Sequence, residues 1–330
     1  MADPVVSSVL SATPAQADLA PAHPHLKSLV DAARACGPIR VAIAYPCDAS
    51  SLGAAIEAAR TGLIVPILVG PRARMEAAAL QGGLDLFGAE IVETADNPRA
   101  AAAQAATLCR EGSAAALMKG SLHTDELLGA AVSRDAGLRG SSRASHAFVL
   151  DVPGVDRPLV LTDCVVNIEP GLMEKRDIVQ NAIDFAHAIG VARPRVAILS
   201  AVENINPAIA STLDAAALCK MADRGQITGA ELDGPLAYDN AVSAVSATNK
   251  GIVSEVAGRP DIMLLPNLEA GNMVYKQLVY MAGAECAGLV LGMKVPIILT
   301  SRSDSIVARI TSCALAVLVT ARARGKGASA

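Results

Sequence analysis

From residue 39 onward, short runs of branched aliphatic residues alternate with longer alanine-rich stretches. The run IRVAIAYP (39–46) predicts a buried strand, and DASSLGAAIEAARTG (48–62) predicts a helix that ends at a glycine. Further strands are predicted in LIVPILVG, AEIVET and ALMKG, each followed by a helical stretch, the last at residues 123–136. Strands that alternate with helices of about 10–15 residues are typical of βαβ units. The pattern therefore predicts an α/β fold with mainly parallel sheets that are covered on both faces.

The pattern changes at residues 145–163, where two strand-like runs follow each other without a helix between them. Prolines and a glycine separate SHAFVLDVPG from RPLVLTDC, which favours a hairpin over a crossover. A domain boundary is therefore first placed near residue 155. Further on, the pattern predicts strands in RVAILSAV, DIMLLPN and VPIILT, and helices at about 175–189 and 207–224, from Gly271, and from about Asp304 to Arg322.

Composition supports a globular protein and argues against two kinds of partner. The 330 residues are 52% hydrophobic with a mean hydropathy of +0.40, which is enough for two domains with separate cores. Only 2% are aromatic and the net charge is −4, so the chain lacks the positive field and the stacking residues that nucleic acid requires. The most apolar runs, 287–300 and 313–320, are shorter than the roughly 20 residues of a membrane span. We expect neither nucleic acid nor a membrane as a partner.

Cysteine usage and the N-terminal sequence bear on location. Seven cysteines are widely spaced and form no CxxC pair, as is typical of reduced thiols. No basic segment precedes Lys27 and no continuous apolar run follows the first residue, so a secretion signal is not predicted and a cytoplasmic location is expected. Residues 1–26 contain four prolines and are predicted to form a flexible tail.

Several common catalytic and cofactor motifs are absent from the sequence. No GxGxxG follows the first predicted strand and no GxxxxGK[ST] occurs, so neither the dinucleotide fingerprint nor the P-loop is present. No HExxH or GxSxG occurs, and the five histidines are scattered. We predict no metal site and no tightly bound cofactor, although separated carboxylates could still converge in space.

In open parallel sheets, ligands bind beyond the carboxyl ends of the strands. The strongest candidate is LTSRSDS (299–305), where a buried strand runs into Ser301, Arg302 and Asp304 just before a helix. Free backbone N–H groups at a helix start, together with a guanidinium, form a site suited to phosphate. The alternative is equally open: a serine or the aspartate caps the helix, and Arg302 is a surface charge. Polar residues at other predicted strand ends are Lys119, Ser121, Asp163, Glu203, Asn267 and Glu269.

The segment MKGSLHTDELL contributes a second basic candidate. Lys119 could attract an anion beside Ser121, His123 and Thr124. Alternatively, Thr124 caps a helix that starts at the next residue.

Two further segments hold basic residues, each with a plainer interpretation. Arg143 lies in the serine-rich turn GSSRASH, where a solvated loop arginine is the more ordinary role. In AGNMVYKQL, Gly271 and Asn272 are placed at a helix start with Lys276 one turn later, and capping plus an exposed lysine is the alternative. His146 is more often a satisfied histidine than a catalyst.

Together these segments resemble the phosphate acetyltransferase/phosphate butyryltransferase family. The resemblance is closest to the acyltransferase module that some bacteria fuse behind an enoyl-CoA hydratase domain. It covers roughly residues 27–320 and rests on the following runs, in this order: GLIVPILVGPRA, ALMKGSLHTDELL, DIVQNAID, AILSAVE, STLDAAALCKMADRGQITG, LDGPLAYDNA, AGNMVYKQL and VPIILTSRSDS.

The resemblance implies a two-domain fold similar to the isocitrate/isopropylmalate dehydrogenases, with a cleft between the domains. The domain boundary is revised accordingly, so that residues 27–155 and 297–330 form domain one and residues 156–296 form domain two. The LTSRSDS turn then lies at the cleft. The resemblance also implies a homodimer.

The reaction implied by the resemblance is acyl phosphate plus coenzyme A giving acyl-CoA plus phosphate, reversibly, by direct thiol attack in a ternary complex. Acetyl is the expected acyl group. The family serine and arginine that bind and polarise the acyl phosphate match Ser301 and Arg302, and the aspartate taken as base matches Asp304. A second family arginine matches Arg143, with Arg139 as the fallback.

The base role carries a physical difficulty. A thiol with a pKa near 8.5 and an aspartate near 3.9 differ by about 4.6 units, or roughly 6 kcal/mol against proton transfer. A neighbouring guanidinium lowers the pKa of Asp304 further. Either closure of the cleft raises that pKa, or Arg302 and the helix end stabilise the thiolate while Asp304 orients it.

Two other functions remain open at the level of sequence. A metal- and NAD(P)-dependent dehydrogenase of the same fold would need aspartates that converge near the cleft. The SRSDS turn would have no evident function in such an enzyme. A non-catalytic subunit that only binds acyl-CoA or acyl phosphate would have little need for Ser301, Arg302 and Asp304 together.

Overall fold

Eleven strands form one continuous sheet in the chain, which a computed structural model describes at residues 23–86, 88–300 and 304–328. The strands are β1 (Ile39–Ala44), β2 (Ile64–Gly70), β3 (Glu90–Glu93), β4 (Ala116–Lys119), β5 (Ser145–Asp151), β6 (Leu159–Thr162), β7 (Arg195–Leu199), β8 (Glu231–Leu236), β9 (Ile262–Leu264), β10 (Glu285–Leu291) and β11 (Ile297–Ile298). The helices are α1 (Pro24–Ala35), α2 (Ala49–Arg60), α3 (Arg72–Gly82), α4 (Pro98–Arg110), α5 (Thr124–Val132), α6 (Leu172–Ala188), α7 (Ala210–Asp223), α8 (Tyr238–Val242), α9 (Ala244–Asn249), α10 (Leu268–Ala282) and α11 (Ile306–Ala328).

The first helix begins inside the region predicted as a flexible tail. Pro24 is the first residue of α1, where a missing N–H costs nothing, and Leu26 is fully buried. The predicted tail is therefore too long at its carboxyl end, because Leu26 belongs to the core. The rest of that prediction, at residues 1–22, lies outside the described residues.

The sheet is mixed but mainly parallel. Its strand order is β3-β2-β1-β4-β11-β10-β5-β6-β9-β7-β8. Seven of the ten neighbouring pairs are parallel, and the other three are β11–β10, β10–β5 and β5–β6. The predicted α/β class with mainly parallel strands is confirmed, and so is the hairpin, in which β5 pairs antiparallel with β6.

The antiparallel strands divide the carboxyl ends of the parallel strands between two opposite edges. The ends of β1, β2, β3, β4 and β11 lie at one edge, where β10 begins with Glu285. The ends of β6, β7, β8 and β9 lie at the other edge, because the three antiparallel pairs β11–β10, β10–β5 and β5–β6 together reverse the strand direction. Polar residues that follow strands therefore do not all converge. Lys119 belongs to the first edge, and Asp163, Glu203 and Asn267 belong to the second.

Hydrophobic residues cover the sheet on both faces, as alternation along buried strands requires. One face carries a single cluster beneath α1, α2, α3, α6, α7 and α11. The other carries two clusters, one beneath α4 and α5 and one beneath α8, α9 and α10. Because Ala147 and Val149 of β5 face the single cluster, His146 and Phe148 face the other side.

Helix α11 is the one described helix whose length and composition would suffice to cross a membrane, over Ile306–Gly325. Within that window, 61% of the helix is buried inside the protein. It packs against α1, α2 and β10. Its apolar character is therefore explained by its place in the core.

Candidate active site

The carboxyl ends of β4 and β11 meet at a narrow pocket. Lys119, the last residue of β4, donates a hydrogen bond of 3.3 Å from Nζ to the carbonyl oxygen of Thr300. Thr300 precedes Ser301, Arg302 and Ser303, which lie outside the described residues. The predictions for Ser301 and Arg302 therefore remain predictions. The pocket is lined by Asp48, Ser50, Ser51, Ala54, Lys119, Gly120, Thr300 and Arg309.

The turn after β4 is held against the end of β1. Gly120 N donates to Ala44 O at 3.0 Å, and Ser121 N donates to Tyr45 O at 2.8 Å. A Cβ at Gly120 would lie 2.4 Å from Ala44 O, so only glycine fits there. The Ser121 hydroxyl accepts from Cys47 N at 3.0 Å and lies 2.9 Å from Ser51 Oγ. Ser121, predicted as a binding residue, is thus fixed in position at the pocket's edge.

His123 and Thr124 lie at the start of α5. Thr124 is the first helical residue and the exposed His123 precedes it, so the helix predicted at 123–136 is shorter at both ends. His123 N donates to Glu126 Oε2 at 3.0 Å, which completes the helix start. The idea that Thr124 caps the helix is wrong by one residue, because His123 occupies the capping position.

Asp304 is partly buried just before α11. The next residue caps that helix: Ser305 Oγ accepts from Ala308 N at 2.9 Å and donates to Glu285 Oε2 at 3.0 Å. The final helix therefore begins at Ile306 rather than at Asp304. Glu285 opens β10, so the Ser305 contact fixes the end of the LTSRSDS turn against the sheet.

Three aromatic rings form a row within electrostatic reach of Asp304. Tyr275 of α10 stacks on Phe148 of β5, with ring centroids 4.2 Å apart and planes 10° apart. Phe148 meets the His146 ring edge-on at 4.3 Å. Burial, followed by the nearby Cys286 and Asp304, raises the pKa of Tyr275 above its usual value. Burial is also the main cause that raises the pKa of Cys286 to about 12, with Asp304 contributing. Asp304 therefore lies within electrostatic reach of this row.

Asp163 organises the start of the loop after β6. The carboxylate is buried and accepts from Val165 N and Val166 N at Oδ1, and from Asn167 Nδ2 (2.6 Å) and His146 N (3.2 Å) at Oδ2. These bonds give the residue a structural role. Burial lowers the pKa of His146 to about 4 against the opposing effect of Asp163, so the imidazole is neutral near pH 7.

Arg143 lies at the opposite edge of the sheet from Thr300, because it precedes β5, whose first residue pairs with the last residue of β10. Its guanidinium forms an ion pair with Glu174 at 2.9 Å and donates to Asn167 Oδ1 at 2.9 Å. Arg139, the fallback, donates to Val132 O. Among the described residues, no hydrogen bond or ion pair joins either arginine to the pocket around Lys119.

The α10 candidates are placed differently from the prediction. The helix begins at Leu268, and Asn267 caps it by accepting from Ala270 N at 3.0 Å, so Gly271 and Asn272 lie inside its first turns. A Cβ on Gly271 would lie 2.7 Å from Asp163 O, and Asn272 Nδ2 donates to Cys164 O at 3.3 Å. Both residues thus pack α10 onto the loop after β6. Lys276 is exposed.

Potential metal ligands and thiols are the other reactive groups of the described residues. In the stretches 23–86, 88–300 and 304–328, no cluster of three or more His, Cys, Asp or Glu is arranged to hold a metal ion. All seven cysteines are free. Burial raises the pKa of six of them: Cys47, Cys109, Cys164, Cys219, Cys286 and Cys313.

Several residues of the pocket were not predicted from the sequence. Asp48 and Ser51 belong to the start of α2, where the Asp48 carboxylate accepts from Ser51 N at 2.7 Å. Arg309 lies one turn into α11 and donates to Ser50 O at 3.2 Å. An aspartate four residues after the end of a predicted strand, at the start of a predicted helix, was the available signal for the first two. Nothing in the sequence marks Arg309 beyond its place one turn after the LTSRSDS turn.

Comparisons with known proteins bear on this geometry. The sequence model of the family described as "Phosphate acetyl/butaryl transferase" matches residues 98–317. A phosphate acetyltransferase of Rhizobium meliloti is 55% identical over 90% of this chain and 93% of its own length. A phosphate butyryltransferase of Clostridium acetobutylicum is 44% identical over 85% of this chain and 93% of its own length. The crystal structure of a branched-chain phosphotransacylase from Enterococcus faecalis V583 has a TM-score of 0.75 at 28% identity, covering 86% of this chain and 99% of that one.

Proposed function

Since the chain belongs to the phosphate acetyl/butyryl transferase family, we propose that it interconverts acetyl-CoA plus phosphate with acetyl phosphate plus coenzyme A. Acyl transfer between coenzyme A and phosphate follows from the family, whose relatives are named for acetyl and for butyryl groups. Acetyl is the finer proposal, and the relative at 55% identity supports it. Coenzyme A and phosphate act as substrates, and no tightly bound cofactor is invoked.

The observation that carries the site proposal is the hydrogen bond between Lys119 and Thr300. It brings a cationic side chain to the residue from which the LTSRSDS turn departs. In the proposal, Ser301 and Arg302 bind the phosphoryl group of the acyl phosphate, and Lys119 adds positive charge at the same edge. The guanidinium then stabilises the negative charge that develops as the phosphate leaves.

In the proposed reaction, the sulfur of coenzyme A attacks the carbonyl carbon of the acyl phosphate. A carbon–sulfur bond forms, the bond between the carbonyl carbon and the phosphate oxygen breaks, and inorganic phosphate leaves with the electron pair. The thiol proton passes to Asp304 or to water. Asp304 also orients the thiol, because an ordinary aspartate is about 4.6 pKa units too acidic to be a strong base here.

Direct transfer of the acyl group to coenzyme A is supported by the raised pKa values of the protein's own cysteine thiols. A covalent acyl-enzyme would need an activated nucleophile, and a cysteine is activated when its pKa falls. Burial raises the pKa instead in six of the seven cysteines, Cys164 and Cys286 beside the aromatic row among them. The thiol of coenzyme A is therefore the nucleophile in this proposal.

The remaining predicted binding residues form two groups. Ser121, His123 and Thr124 lie on the turn after β4, where they are proposed to contact coenzyme A or phosphate. The second group lies near the far edge of the sheet and is proposed to contact the distal part of coenzyme A: Arg143, Gly271, Asn272 and Lys276. Because Glu174 already pairs with Arg143, this arginine must exchange partners to bind a phosphate.

Domain arrangement, assembly and location also belong to the proposal. We assign residues 27–155 and 297–330 to domain one and residues 156–296 to domain two. On one face of the sheet, one hydrophobic cluster lies mostly within domain one and the other mostly within domain two, which supports that division, whereas the cluster on the opposite face spans both domains. The protein is proposed to act as a homodimer in the cytoplasm.

One assay tests the activity. The purified protein is incubated with acetyl phosphate, with and without coenzyme A, while phosphate and thioester are measured together. The proposal expects equal amounts of phosphate and acetyl-CoA, formed only when coenzyme A is present. Phosphate release that is independent of coenzyme A, or release without a thioester product, would contradict it.

A further inference from the structure

A cavity of about 490 Å³ lies at the edge of the sheet opposite the Lys119 pocket. Its lining includes Leu291, the last residue of β10, and the residues that directly precede β4 and β11, Ala115 and Pro296. Lys119 ends β4 and Thr300 follows β11, so both strands run from this cavity to that pocket. The volume is typical of cavities that bind small molecules.

Apolar side chains supply most of the cavity walls, among them Cys109, Ala114, Leu291, Met293, Val295 and Val319. None of the described residues that line it is aromatic, and none is acidic. The walls therefore suit a flexible aliphatic chain and lack the rings on which a planar ligand would stack. A second cavity of about 260 Å³ shares residues 291–293 and Val319 with the first, so the apolar space continues along α11.

One buried hydroxyl of the cavity lining has no hydrogen-bond partner. Thr320 of α11 lines the first cavity and is only 8% exposed, and its Oγ1 makes no hydrogen bond within the described part of the chain. A buried threonine in a helix ordinarily donates to a backbone carbonyl one turn earlier. A buried hydroxyl left unpaired destabilises the folded protein, and a ligand atom that accepts from Thr320 would remove that destabilisation.

The charge around the two cavities is mainly positive, although the whole chain carries a net charge of −4. Lys294 lines the first cavity and is exposed, and its ammonium makes no hydrogen bond or ion pair with a described residue. Its backbone N donates to Leu138 O at 2.9 Å, which fixes its position. Arg322 lines the second cavity, as does Asp184, the one acidic residue among the described lining residues. The first cavity therefore attracts anions.

We propose that this cavity binds an aliphatic carboxylate of about six to eight carbons, a chain long enough to cover its apolar walls. One carboxylate oxygen accepts a hydrogen bond from Thr320 Oγ1, and the Lys294 ammonium neutralises the charge. Phosphate or sulfate would leave the apolar walls unused, and acetate is too small to fill the space. The inference is separate from the proposed function, because neither residue is assigned to acyl transfer.

The experiment measures binding of sodium octanoate to the full-length protein by isothermal titration calorimetry near pH 7.5 at fixed ionic strength. One octanoate is expected to bind per chain. Butanoate should bind at least about tenfold more weakly, because it buries four fewer methylenes. Octylamine has the same chain and the opposite charge, and it should not bind detectably.

Two variants locate the site, and a third serves as the matched control. Thr320→Val removes the hydroxyl and Lys294→Met removes the charge, and each should raise the Kd for octanoate by at least about fivefold. Thr311 also lies on α11, is fully buried and has an unpartnered Oγ1, but it lines neither cavity. Thr311→Val should therefore leave the Kd within twofold of wild type. If Thr320→Val does not fold, Lys294→Met decides the question, because Lys294 is exposed.

Three results would overturn this proposal. The first is a folded wild-type protein that does not bind octanoate. The second is a Kd within twofold of wild type in the folded Thr320 and Lys294 variants, because octanoate would then bind elsewhere. The third is displacement of octanoate by saturating acetyl phosphate at the same ionic strength, which would place octanoate in the catalytic pocket. None of these results bears on the acyl transfer assay, so the proposed function is tested separately.

Discussion

Lys119 and Thr300 are separated by 181 positions in the chain, yet Lys119 Nζ donates a 3.3 Å hydrogen bond to Thr300 O. The contact ties the carboxyl end of β4 to the carboxyl end of β11, which are neighbours in the sheet. It places a positive charge where the backbone enters the LTSRSDS turn. The lysine therefore has both a structural and an electrostatic part in the proposed phosphate site.

Lys119→Ala should lower kcat/KM for acetyl phosphate by roughly 10–100-fold. A hydrogen bond from a charged group contributes about 1.5–3 kcal/mol, and the variant loses both the bond and the charge. Lys119→Arg should recover part of the loss, because the charge returns in a different shape. Steady-state kinetics check this, with the exposed Lys220→Ala as control. Equal kinetics for Lys119→Ala and Lys220→Ala would remove Lys119 from the site.

Gly120→Ala should destabilise the protein, because the new Cβ would lie 2.4 Å from Ala44 O and 2.7 Å from Tyr45 O. We expect a loss of about 1–3 kcal/mol in the free energy of unfolding, as for other overpacked sites. Activity should also fall, since the displaced turn carries Ser121. Urea unfolding measures the first effect and the acyl transfer assay the second.

Gly129→Ala provides the matched control for this substitution. Gly129 lies within α5, and nothing lies within 4 Å of the Cβ that alanine would add. Alanine is the better helix former there, so stability should rise by roughly 0.5–1 kcal/mol. If both glycine variants changed stability alike, the close approach of Gly120 to β1 would have no energetic consequence.

His146 should make the protein sensitive to acid. Its folded pKa of about 4 lies below the ordinary 6.5, because burial disfavours the charged ring. The unfolded chain therefore binds the extra proton first, and stability falls as the pH drops from 6.5 toward 4. Above pH 6.5 this contribution is fully present. At pH 4.5 the loss should be roughly 2 kcal/mol.

The acid prediction is checked by urea unfolding at pH 7 and pH 4.5. His146→Leu should lose less stability than wild type between these values, by about the amount given above. The exposed His123→Gln should lose as much as wild type. An identical loss in His146→Leu and wild type would show that another group causes the acid sensitivity.

Asp304→Asn separates the two roles proposed for the carboxylate. If Asp304 accepts the thiol proton, kcat should fall more than tenfold, and more steeply below pH 8 where the thiol stays protonated. If it only orients the thiol, asparagine keeps most of the hydrogen bonding and kcat should fall less than tenfold. We expect the larger loss. A smaller one would exclude the base role and leave an orienting role.

The elements that the sequence predicts well are those with a strong local pattern. The β5–β6 hairpin follows from two branched runs separated by prolines and a glycine, and the early βαβ succession follows from its regular alternation. β8 was not predicted, because Glu231–Leu236 contains Asp233, Gly234 and Pro235 and only its last two residues are buried. β10 was not predicted either, although Gly292, Lys294 and Pro296 separate its apolar run from β11.

The site was predictable only in part, for reasons of topology. The sequence identifies polar residues that follow predicted strands, but it does not show at which edge of the sheet each strand ends. Three successive antiparallel pairs, β11–β10, β10–β5 and β5–β6, place Asp163 and Asn267 away from Lys119, and of these only the β5–β6 hairpin has a local pattern. Contacts such as Ser51 with Ser121 join segments 70 positions apart, so they appear only once the sheet is assembled.

The central claim is that the turn after β11 binds the acyl phosphate through Arg302. The most direct test is kcat and KM for acetyl phosphate in Arg302→Ala, beside Arg324→Ala, an exposed arginine farther along α11. We predict that Arg302→Ala raises KM and lowers kcat, with a combined loss in kcat/KM of at least about 100-fold, while Arg324→Ala resembles wild type. Wild-type values of both constants in a folded Arg302→Ala protein would contradict the account.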